Sequence, residues 1–391
     1  MVTQRLRPPT PDSFTSRLRS PAVAARVGLW LGIAFGTCFL TGLVSHYAQL
    51  PTHPIPFPTS PSWGYRLTQG LHVTSGVAAI PLLLVKLWSV LPKLFEAPPL
   101  GDPRRLLLTA LERGSIAVLV AASVFQLATG VLNAAQWYPW TSFSFRTTHY
   151  ALAWVAIGAL LVHVAVKLPL VREVLGSDID DTAHDRPSAQ RAGALSRRAL
   201  VRTTFAAAGV AVLATAGGTV PWLRRVSVFA TRTGEGPGGV PVNKSALAAG
   251  VEESATSPDW RLEVVVAGAI AASFSLDDLR AMPQHTVDLP IACVEGWSAQ
   301  GTWSGVRLTD LLREAGHTGG RDVAVTSLQQ SGAFRRTVLP ANFADDGRTL
   351  VALDLAGEPL ALDHGFPCRL IAPDRPGVLQ TKWLSRLELD A

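Results

Sequence analysis

Long uncharged apolar runs limit what this chain can fold into more than any other feature of its sequence. Four of them precede residue 170, and each is about 20 residues long, the length of a membrane-spanning helix. They cover residues 27–43, 67–85, 114–134 and 147–166. Since a bilayer offers no partners for backbone polar groups, such segments fold as helices. We therefore predict an all-α four-helix transmembrane bundle over residues 27–170, after a disordered cytoplasmic tail at 1–26.

A fifth apolar run, residues 203–223, is predicted to form one more transmembrane helix. The motif Ser196-Arg197-Arg198-Ala-Leu-Val-Arg202 directly before it resembles a twin-arginine export signal. An ordinary membrane helix with a basic inner flank would show the same arginines, so that alternative stays open. In both interpretations residues 171–202 form a cytoplasmic linker, and the helix leads the chain out of the cytoplasm.

The composition and the charge distribution are typical of a membrane protein. Hydrophobic residues make up 48% of the chain and charged residues only 16%, too few for an ordinary soluble protein. The basic residues lie beside the inner ends of the apolar runs, whereas the predicted outer loops carry only Arg66 and Arg146. This bias follows the positive-inside rule and leaves no basic face for nucleic acid. We expect a multi-pass cell-membrane protein whose residues after 223 are extracytoplasmic.

Histidines inside the apolar runs are functional candidates, because ionisable side chains are costly in a membrane. Four qualify: His46, His72, His149 and His163. Imidazoles on facing helices hold haem iron, and His72 and His149 lie at a similar depth. His163 follows His149 by 14 residues, or about 21 Å along a helix. This spacing resembles the fourth helix of the cytochrome b subunits of membrane dehydrogenases.

The other helices offer no inner histidine to face His163, and the two methionines lie outside the runs. We therefore expect one haem b held by His72 and His149 rather than two haems. The alternative is that hydrogen bonds satisfy these histidines without any metal.

The sequence changes character after an extracytoplasmic linker at 224–260. Short strand-like runs alternate with short helical ones, which is typical of an α+β domain. The strand-like runs are 262–266, 323–327, 350–353 and 370–372, and the helical ones are 275–281 and 308–315. We assign the domain to residues 261–391.

A single cysteine in this domain ends an apolar run. Cys293 follows Leu289-Pro-Ile-Ala and precedes Val-Glu-Gly-Trp-Ser, a pattern that predicts a strand followed by a tight turn. Thiolates bind transition metals, but a protein-only zinc or iron–sulfur cage needs about four protein ligands. With no second cysteine or histidine nearby, a cofactor would have to supply the remaining ligands. The alternative is a disulfide between Cys293 and Cys368.

Several motifs together resemble the molybdopterin-binding domain of the sulfite oxidase family, over residues 241–391. They are Cys293-Val-Glu-Gly-Trp-Ser, Trp303-Ser-Gly-Val-Arg-Leu, Gly365-Phe-Pro-Cys-Arg-Leu and Lys382-Trp383. The resemblance implies that Cys293 is the one protein ligand of molybdenum, and that a pterin dithiolene and oxo groups complete the site. It also implies four candidates for binding the molybdopterin: Asn243, His364, Arg369 and Lys382.

Four further side chains are candidates with an open alternative. Arg335 and Arg336 would bind an oxyanion substrate, or they would lie on a solvated strand edge. Trp297 and Trp303 would form a wall of the site, or they would belong to the core.

The function that these features predict is a membrane-bound molybdopterin-dependent oxidoreductase. The outer domain would perform two-electron oxygen-atom chemistry, and the haem b domain would relay electrons to or from the quinone pool or another redox carrier. The segment resembles only part of a full sulfite oxidase, so the substrate stays open between a sulfur oxyanion and a sulfoxide. One alternative is a non-catalytic binding module of the same fold. Another is an enzyme whose membrane helices serve only as an anchor.

Overall fold

The computed structural model describes residues 9–139, 143–231, 236–317 and 319–390. Five of its helices are long and apolar enough to cross a membrane, which confirms the helical interpretation of the five runs. They are α1 (Pro21–Ala48), α2 (Gly64–Val90), α3 (Pro103–Ala134), α4 (Phe145–Gly176) and α5 (Arg197–Thr215). The chain divides into two compact units. The first contains the described residues up to 40, together with 72–133 and 137–214.

Several predicted boundaries are wrong; for example, α4 extends to Gly176 and α5 begins at Arg197, both within the predicted linker. Two other errors have a clear local reason. Helix α1 begins at Pro21 and not at 27, because a proline fits the first turn and Ser20 Oγ accepts a hydrogen bond from Val23 N at 3.2 Å. Residues 21–26 are therefore helix and not tail. Helix α5 ends at Thr215 and not at 223, and two short 3-10 turns follow. A Cβ atom on Gly217 would lie 2.6 Å from Ser227 Cβ, so this turn needs glycine.

Within the first unit, apolar side chains from three helices pack together. Val23 and Val27 of α1 contact Leu82 of α2, and Val201 and Phe205 of α5 pack against them. Helix α5 therefore packs against α1 and α2 within the first unit.

The two arginines of the export-like motif differ in their surroundings. Arg197 is only 4% exposed, forms an ion pair with Asp185, and donates to the carbonyl oxygens of Arg17 at 3.0 Å and Asp181 at 2.8 Å. Arg198 is exposed and pairs with Asp178 at 2.6 Å. Arg197 therefore ties the linker to the N-terminal segment, whereas Arg198 lies on the surface.

This difference gives a test of the motif. Replacing Arg197 by glutamine is expected to lower the free energy of unfolding by about 3–5 kcal/mol, because it leaves Asp185 buried without its partner. Arg198→Gln is the matched control and should keep the parent's midpoint of thermal unfolding. The two variants separate structure from export, since a twin-arginine signal needs both arginines. Equal loss of export in both variants would support the signal, and an unfolding midpoint unchanged in Arg197→Gln would contradict the structural role.

The second unit comprises residues 41–71, 134–136 and the described chain from 215 onward. Its helices are short: α6 (Ala246–Ala249), α7 (Glu252–Thr256), α8 (Leu276–Ala281), α9 (Leu308–Glu314) and α10 (Ala341–Ala344). Its strands are β1 (Leu262–Val266), β2 (Ala269–Phe274), β3 (His285–Ala292), β4 (Ser298–Arg307), β5 (Val323–Ser327), β6 (Arg336–Leu339), β7 (Leu350–Leu355), β8 (Glu358–Pro359), β9 (Arg369–Ile371) and β10 (Leu384–Leu389). The predicted strands and helices agree with these to within two residues, and the domain is α+β.

Two sheets organise this unit. One has the order β2-β1-β10-β5-β6, in which β1 and β10 run parallel and the other pairs run antiparallel. The other has the order β3-β4-β7-β8, and β9 also pairs with β7. Gly305 lets β4 approach β7 closely, because a Cβ atom there would lie 2.2 Å from Val351 O. The hairpin of β3 and β4 is the element that carries Cys293.

The loop between α1 and α2 belongs to the second unit and is bonded to the domain. Val338 N donates to Pro51 O at 2.7 Å, and Asn342 Nδ2 donates to Phe57 O at 2.8 Å. Asp374 accepts a hydrogen bond from Tyr65 N at 2.5 Å, at the first turn of α2. The compact unit thus contains more of the chain than the predicted domain at 261–391. The reason is that the proline-rich loop exposes carbonyl oxygens to which the domain's N–H groups donate.

Candidate functional site

Cys293 begins the turn between β3 and β4, as the sequence predicts. Its backbone N–H donates to Trp297 O at 2.8 Å, and Gly296 N donates back to Cys293 O at 3.1 Å. Gly296 has φ of +78°, a conformation that favours glycine. Trp297 Nε1 donates to Glu295 Oε2 at 3.0 Å, which fixes the tryptophan ring within the turn. The turn therefore holds a buried thiol, 1% exposed, on a rigid backbone.

The predicted alternative of a disulfide is wrong. Neither Cys293 nor Cys368 forms a disulfide in the structure. Cys368 lies in the apolar core with Leu370 and Leu384, and burial raises the pKa of its thiol. Cys368 is thus a packing residue, and Cys293 is the cysteine at the site.

Three of the predicted molybdopterin-binding residues come together around Gly365. Lys382 Nζ donates to Asp363 O at 3.0 Å and to Lys244 O, and Arg369 Nη1 donates to His364 O at 3.0 Å. Gly365 permits the approach, since a Cβ atom there would lie 3.0 Å from Lys382 Cβ and 3.1 Å from Arg369 Cβ. We call Lys382, Arg369 and His364 the basic cluster.

The fourth predicted residue, Asn243, joins the basic cluster indirectly. Its Oδ1 atom accepts a hydrogen bond from Lys244 N at 2.9 Å, and the carbonyl of Lys244 accepts from Lys382. His364 Nε2 lies 2.8 Å from Val240 O, on the same entering segment. The segment 240–244 therefore closes one side of the basic cluster.

Burial controls the charge of the basic cluster. It lowers the pKa of Lys382 to about 7, with a further decrease from Arg369, and it lowers the pKa of Arg369 to about 9. Burial and then Arg369 lower the pKa of His364 to about 4, so this histidine is neutral. Negative charge on Asp363, and then on Cys293 and Glu295, partly offsets the decrease in the pKa of Lys382. Trp303 links the thiol to the cluster, because it shares an apolar core with Cys293 and its ring lies 4.9 Å from the guanidinium carbon of Arg369.

The basic cluster fits an anionic cofactor. Among the described residues, Arg369 Nε and His364 Nδ1 are buried and have no hydrogen-bond partner. Buried polar atoms are normally paired, so a bound group would be stabilised here by accepting from Arg369 Nε and by donating to His364 Nδ1, whose ring already donates from Nε2 to Val240 O. A thiol, the buried Arg369 with an unsatisfied Nε donor and the half-buried Lys382 form a donor set that suits a molybdenum–pterin group with a phosphate.

The tryptophans are core residues. Trp297 and Trp303 are both almost fully buried, as the alternative interpretation predicts. Trp303 also supports the basic cluster, since its ring lies 4.9 Å from the guanidinium carbon of Arg369.

Arg335 and Arg336 are placed at a sheet edge. Both side chains are exposed, β6 begins at Arg336, and Arg336 forms an ion pair with Glu388 at 2.7 Å. This arrangement agrees with the alternative of a solvated strand edge. A role in binding a substrate oxyanion stays a prediction.

Sequence reasoning missed Arg375 and Gln380. Arg375 is 1% exposed and donates through Nη2 to Val338 O at 2.8 Å, while its Nε and Nη1 have no partner among the described residues. Gln380 Nε2 donates to the carbonyl oxygens of Ala372 and Arg375, and so closes the loop between them. One sequence pattern could have pointed to Arg375. The run Asp374-Arg375-Pro376-Gly377 predicts a turn, and it contains charged residues.

Two of the membrane histidines lie side by side in the first unit. The ring centroids of His72 and His149 are 6.2 Å apart with an angle of 60° between the planes. His72 Nδ1 lies 3.0 Å from Cys38 O, and His149 Nδ1 lies 3.0 Å from Thr129 Oγ1. His46 packs edge-on against Tyr47. Within the described parts of the chain, no second histidine ring contacts His163.

Comparisons with known proteins identify the C-terminal part. Residues 248–391 match the family model described as oxidoreductase molybdopterin binding domain. Mitochondrial sulfite oxidase of Rattus norvegicus is 31% identical over 162 residues, which cover 34% of this chain and 30% of that one. The putative protein-methionine-sulfoxide reductase subunit YedZ1 of Azospira oryzae is 32% identical over 128 residues, or 33% of this chain and 48% of that one.

A third relative, the uncharacterized oxidoreductase YuiH of Bacillus subtilis, is 29% identical over 130 residues, or 33% of this chain and 64% of that one. The matches thus span less than two thirds of each relative. They bear out a molybdopterin-binding domain of the sulfite oxidase type at the C-terminal end of a chain with five membrane-length helices.

Proposed function

We propose that this protein is a membrane-bound molybdopterin-dependent oxidoreductase that performs two-electron oxygen-atom chemistry outside the cytoplasm. One observation carries the proposal: the Cys293 turn and the basic cluster meet at Trp303, which lies in the same apolar core as Cys293 and has its ring 4.9 Å from the guanidinium carbon of Arg369, inside the segment that matches the molybdopterin-binding domain. When bound, the molybdenum cofactor would supply the oxygen-atom transfer.

The chain's own residues would hold that cofactor and keep it dry. Cys293 would be the protein ligand of molybdenum, since a soft thiolate suits this metal. Arg369 and Lys382 would pair with the pterin phosphate, and His364 and Asn243 would lie beside it. The buried position of Cys293, at 1% exposed, excludes water from the ligand atom.

The non-catalytic alternative has little support from this geometry. A binding module that had lost its cofactor would leave Arg369 Nε buried without a hydrogen-bond partner, which is costly for a charged group.

We further propose that His72 and His149 hold one haem b. Metal–imidazole bonds are about 2 Å long, so two rings that ligate one iron from opposite sides have centroids roughly 6 Å apart. The observed separation is 6.2 Å. Hydrogen bonds from Nδ1 to Cys38 O and Thr129 Oγ1 would orient the rings and leave Nε2 as the ligating nitrogen, the usual arrangement at metal sites. His163, without a facing histidine ring among the described residues, would not form a second site.

The remaining roles follow from the charge pattern and the relatives. Arginine and lysine on the inner flanks support an extracytoplasmic C-terminal domain. Such a domain would receive its cofactor before export, for which a twin-arginine signal at Arg197 and Arg198 provides a route. Two relatives are named for sulfite and for methionine sulfoxide, so we propose a sulfur oxyanion or a sulfoxide as substrate. The quinone pool is the proposed partner of the membrane domain.

Analysis of molybdenum and haem in the intact, detergent-purified protein tests these proposals together. We expect equimolar molybdenum and b-type haem, from mass spectrometry of the metal and a reduced-minus-oxidised spectrum. Protein without molybdenum would favour the non-catalytic module. Protein with molybdenum but without haem would reduce the membrane helices to an anchor.

A further inference from the structure

A cavity inside the second unit is not part of the site described above. Its volume is about 210 Å³. Val44 and Ala48 of α1, Tyr65 and Thr68 of α2, and Phe57 of the connecting loop line it, together with Phe343 of the domain. Val44 is also 43% exposed on α1, so the cavity borders the apolar surface that a spanning helix presents to lipid. The walls are thus largely apolar and lie at the ends of two membrane helices.

One ionisable side chain that lines this cavity is His53. Both of its ring nitrogens are buried, and neither has a hydrogen-bond partner among the described residues. Its backbone is in the left-handed region, with φ of +45°, where a non-glycine residue is strained. Burial, and then the charge of Arg375, lowers the pKa of His53 to about 4, so the ring is neutral and one nitrogen carries a lone pair. A ligand hydroxyl would satisfy that nitrogen.

A second ionisable side chain in the lining is Asp374. One carboxylate oxygen accepts a hydrogen bond from Tyr65 N at 2.5 Å, and a Cβ atom on Gly64 would lie 2.9 Å from the other. Asp374 therefore caps the N-terminus of α2 from the domain, and it also lines the cavity. Its φ of +53° is again in the left-handed region. The cavity thus presents a neutral imidazole, with one acceptor nitrogen and one N–H, and a carboxylate that only accepts.

We propose that this cavity binds the headgroup of a membrane quinol. An apolar cavity of about 150 Å³ binds benzene, so the observed volume accommodates a ring with substituents. A quinol donates two hydroxyl hydrogens, one to His53 and one to Asp374, whereas the oxidised quinone could accept only from the N–H of His53 and would face the carboxylate with a carbonyl oxygen. The site would therefore prefer the reduced form. The proposal rests on the proposed function, because it assigns a place for the quinone pool as redox partner.

Binding of a benzoquinol with a ten-carbon tail, and of its oxidised quinone, to the intact detergent-purified protein tests the proposal. We expect saturable binding that favours the quinol. Asp374→Asn keeps a capping oxygen but removes the charge, and His53→Phe keeps a ring but removes both nitrogens. Each should weaken quinol binding about tenfold, the value of one hydrogen bond to a charged or buried group. Asp259→Asn, at an exposed site, is the matched control and should bind like the parent.

Labelling of the unmodified protein with a photoreactive quinone keeps the proposal testable if a variant fails to fold. The label is expected on peptides that contain residues 53–61 or 343–376. A label confined to other peptides, an absence of saturable binding, or full affinity in both variants would overturn the proposal and leave the cavity as a water site. Binding does not depend on turnover, and metal and haem are measured on the same preparation. Failure of this inference is therefore distinguishable from failure of the proposed function.

Discussion

Cys293→Ser is expected to abolish turnover while the domain stays folded and exported. The substitution replaces a soft thiolate by a hydroxyl, which is a poor ligand for the proposed metal. The turn itself should survive, because its hydrogen bonds between residues 293, 296 and 297 come from the backbone. The measurement is turnover with a sulfoxide or sulfite, together with molybdenum content and thermal unfolding of the purified variant. Activity at the parent level in this variant would contradict the proposal that Cys293 is the metal ligand.

Cys368→Ser is the matched control for this experiment. Cys368 is fully buried among apolar side chains, so a hydroxyl there should lower the stability by about 1–3 kcal/mol. Turnover below the unfolding temperature should remain, since this cysteine is a packing residue. Cys293→Ser is therefore expected to lose activity, whereas Cys368→Ser is expected to lose stability. Loss of turnover in a folded Cys368→Ser protein would contradict this division.

Loss of the b-type haem signal is the second large effect that we expect, in both His72→Ala and His149→Ala. A low-spin haem needs both axial imidazoles, while the helices fold because of their apolar length. Molybdenum content of the C-terminal domain should stay at the parent level in each variant. The measurement is a reduced-minus-oxidised spectrum of the detergent-purified protein.

His163→Ala and His46→Ala are the controls for the haem experiment. His46 contacts Tyr47, and no other histidine ring contacts His163 within the described residues, so both variants should keep the haem spectrum. A haem spectrum that is unchanged in both His72→Ala and His149→Ala would contradict the proposal that these two histidines hold one haem. A spectrum lost in His163→Ala would instead require a second haem.

Local pattern was enough to predict most of the secondary structure. The strands at 262–266 and 323–327 occupy the predicted residues, and the turn after Cys293 has the predicted glycine at Gly296. Apolar length was enough for the five membrane helices, but not for their ends. Helix α1 extends to Pro21 and α5 stops before Gly217, because proline and glycine act on the backbone independently of hydropathy.

The assembled site was harder to predict, because its parts lie far apart in the sequence. Lys382 donates to the carbonyl oxygens of Lys244 and Asp363, and no local pattern marks a carbonyl as an acceptor for a distant lysine. The resemblance supplied the residues of the basic cluster, and the structure supplied their mutual contacts. Arg375 was missed for the same reason, since its importance lies in burial beside Val338 and not in its neighbours along the chain.

The cysteine turn is also held from outside the domain's own sheets. Thr219 donates to Gly296 O, Arg224 donates to Ser298 O at 2.6 Å, and Ala292 packs against Tyr65. The two donors lie 77 and 74 positions before their acceptors in the chain, within the same unit. The position of Cys293 therefore depends on residues 219–224 as well as on its own hairpin, and a substitution in that segment would disturb the turn from far away in the sequence.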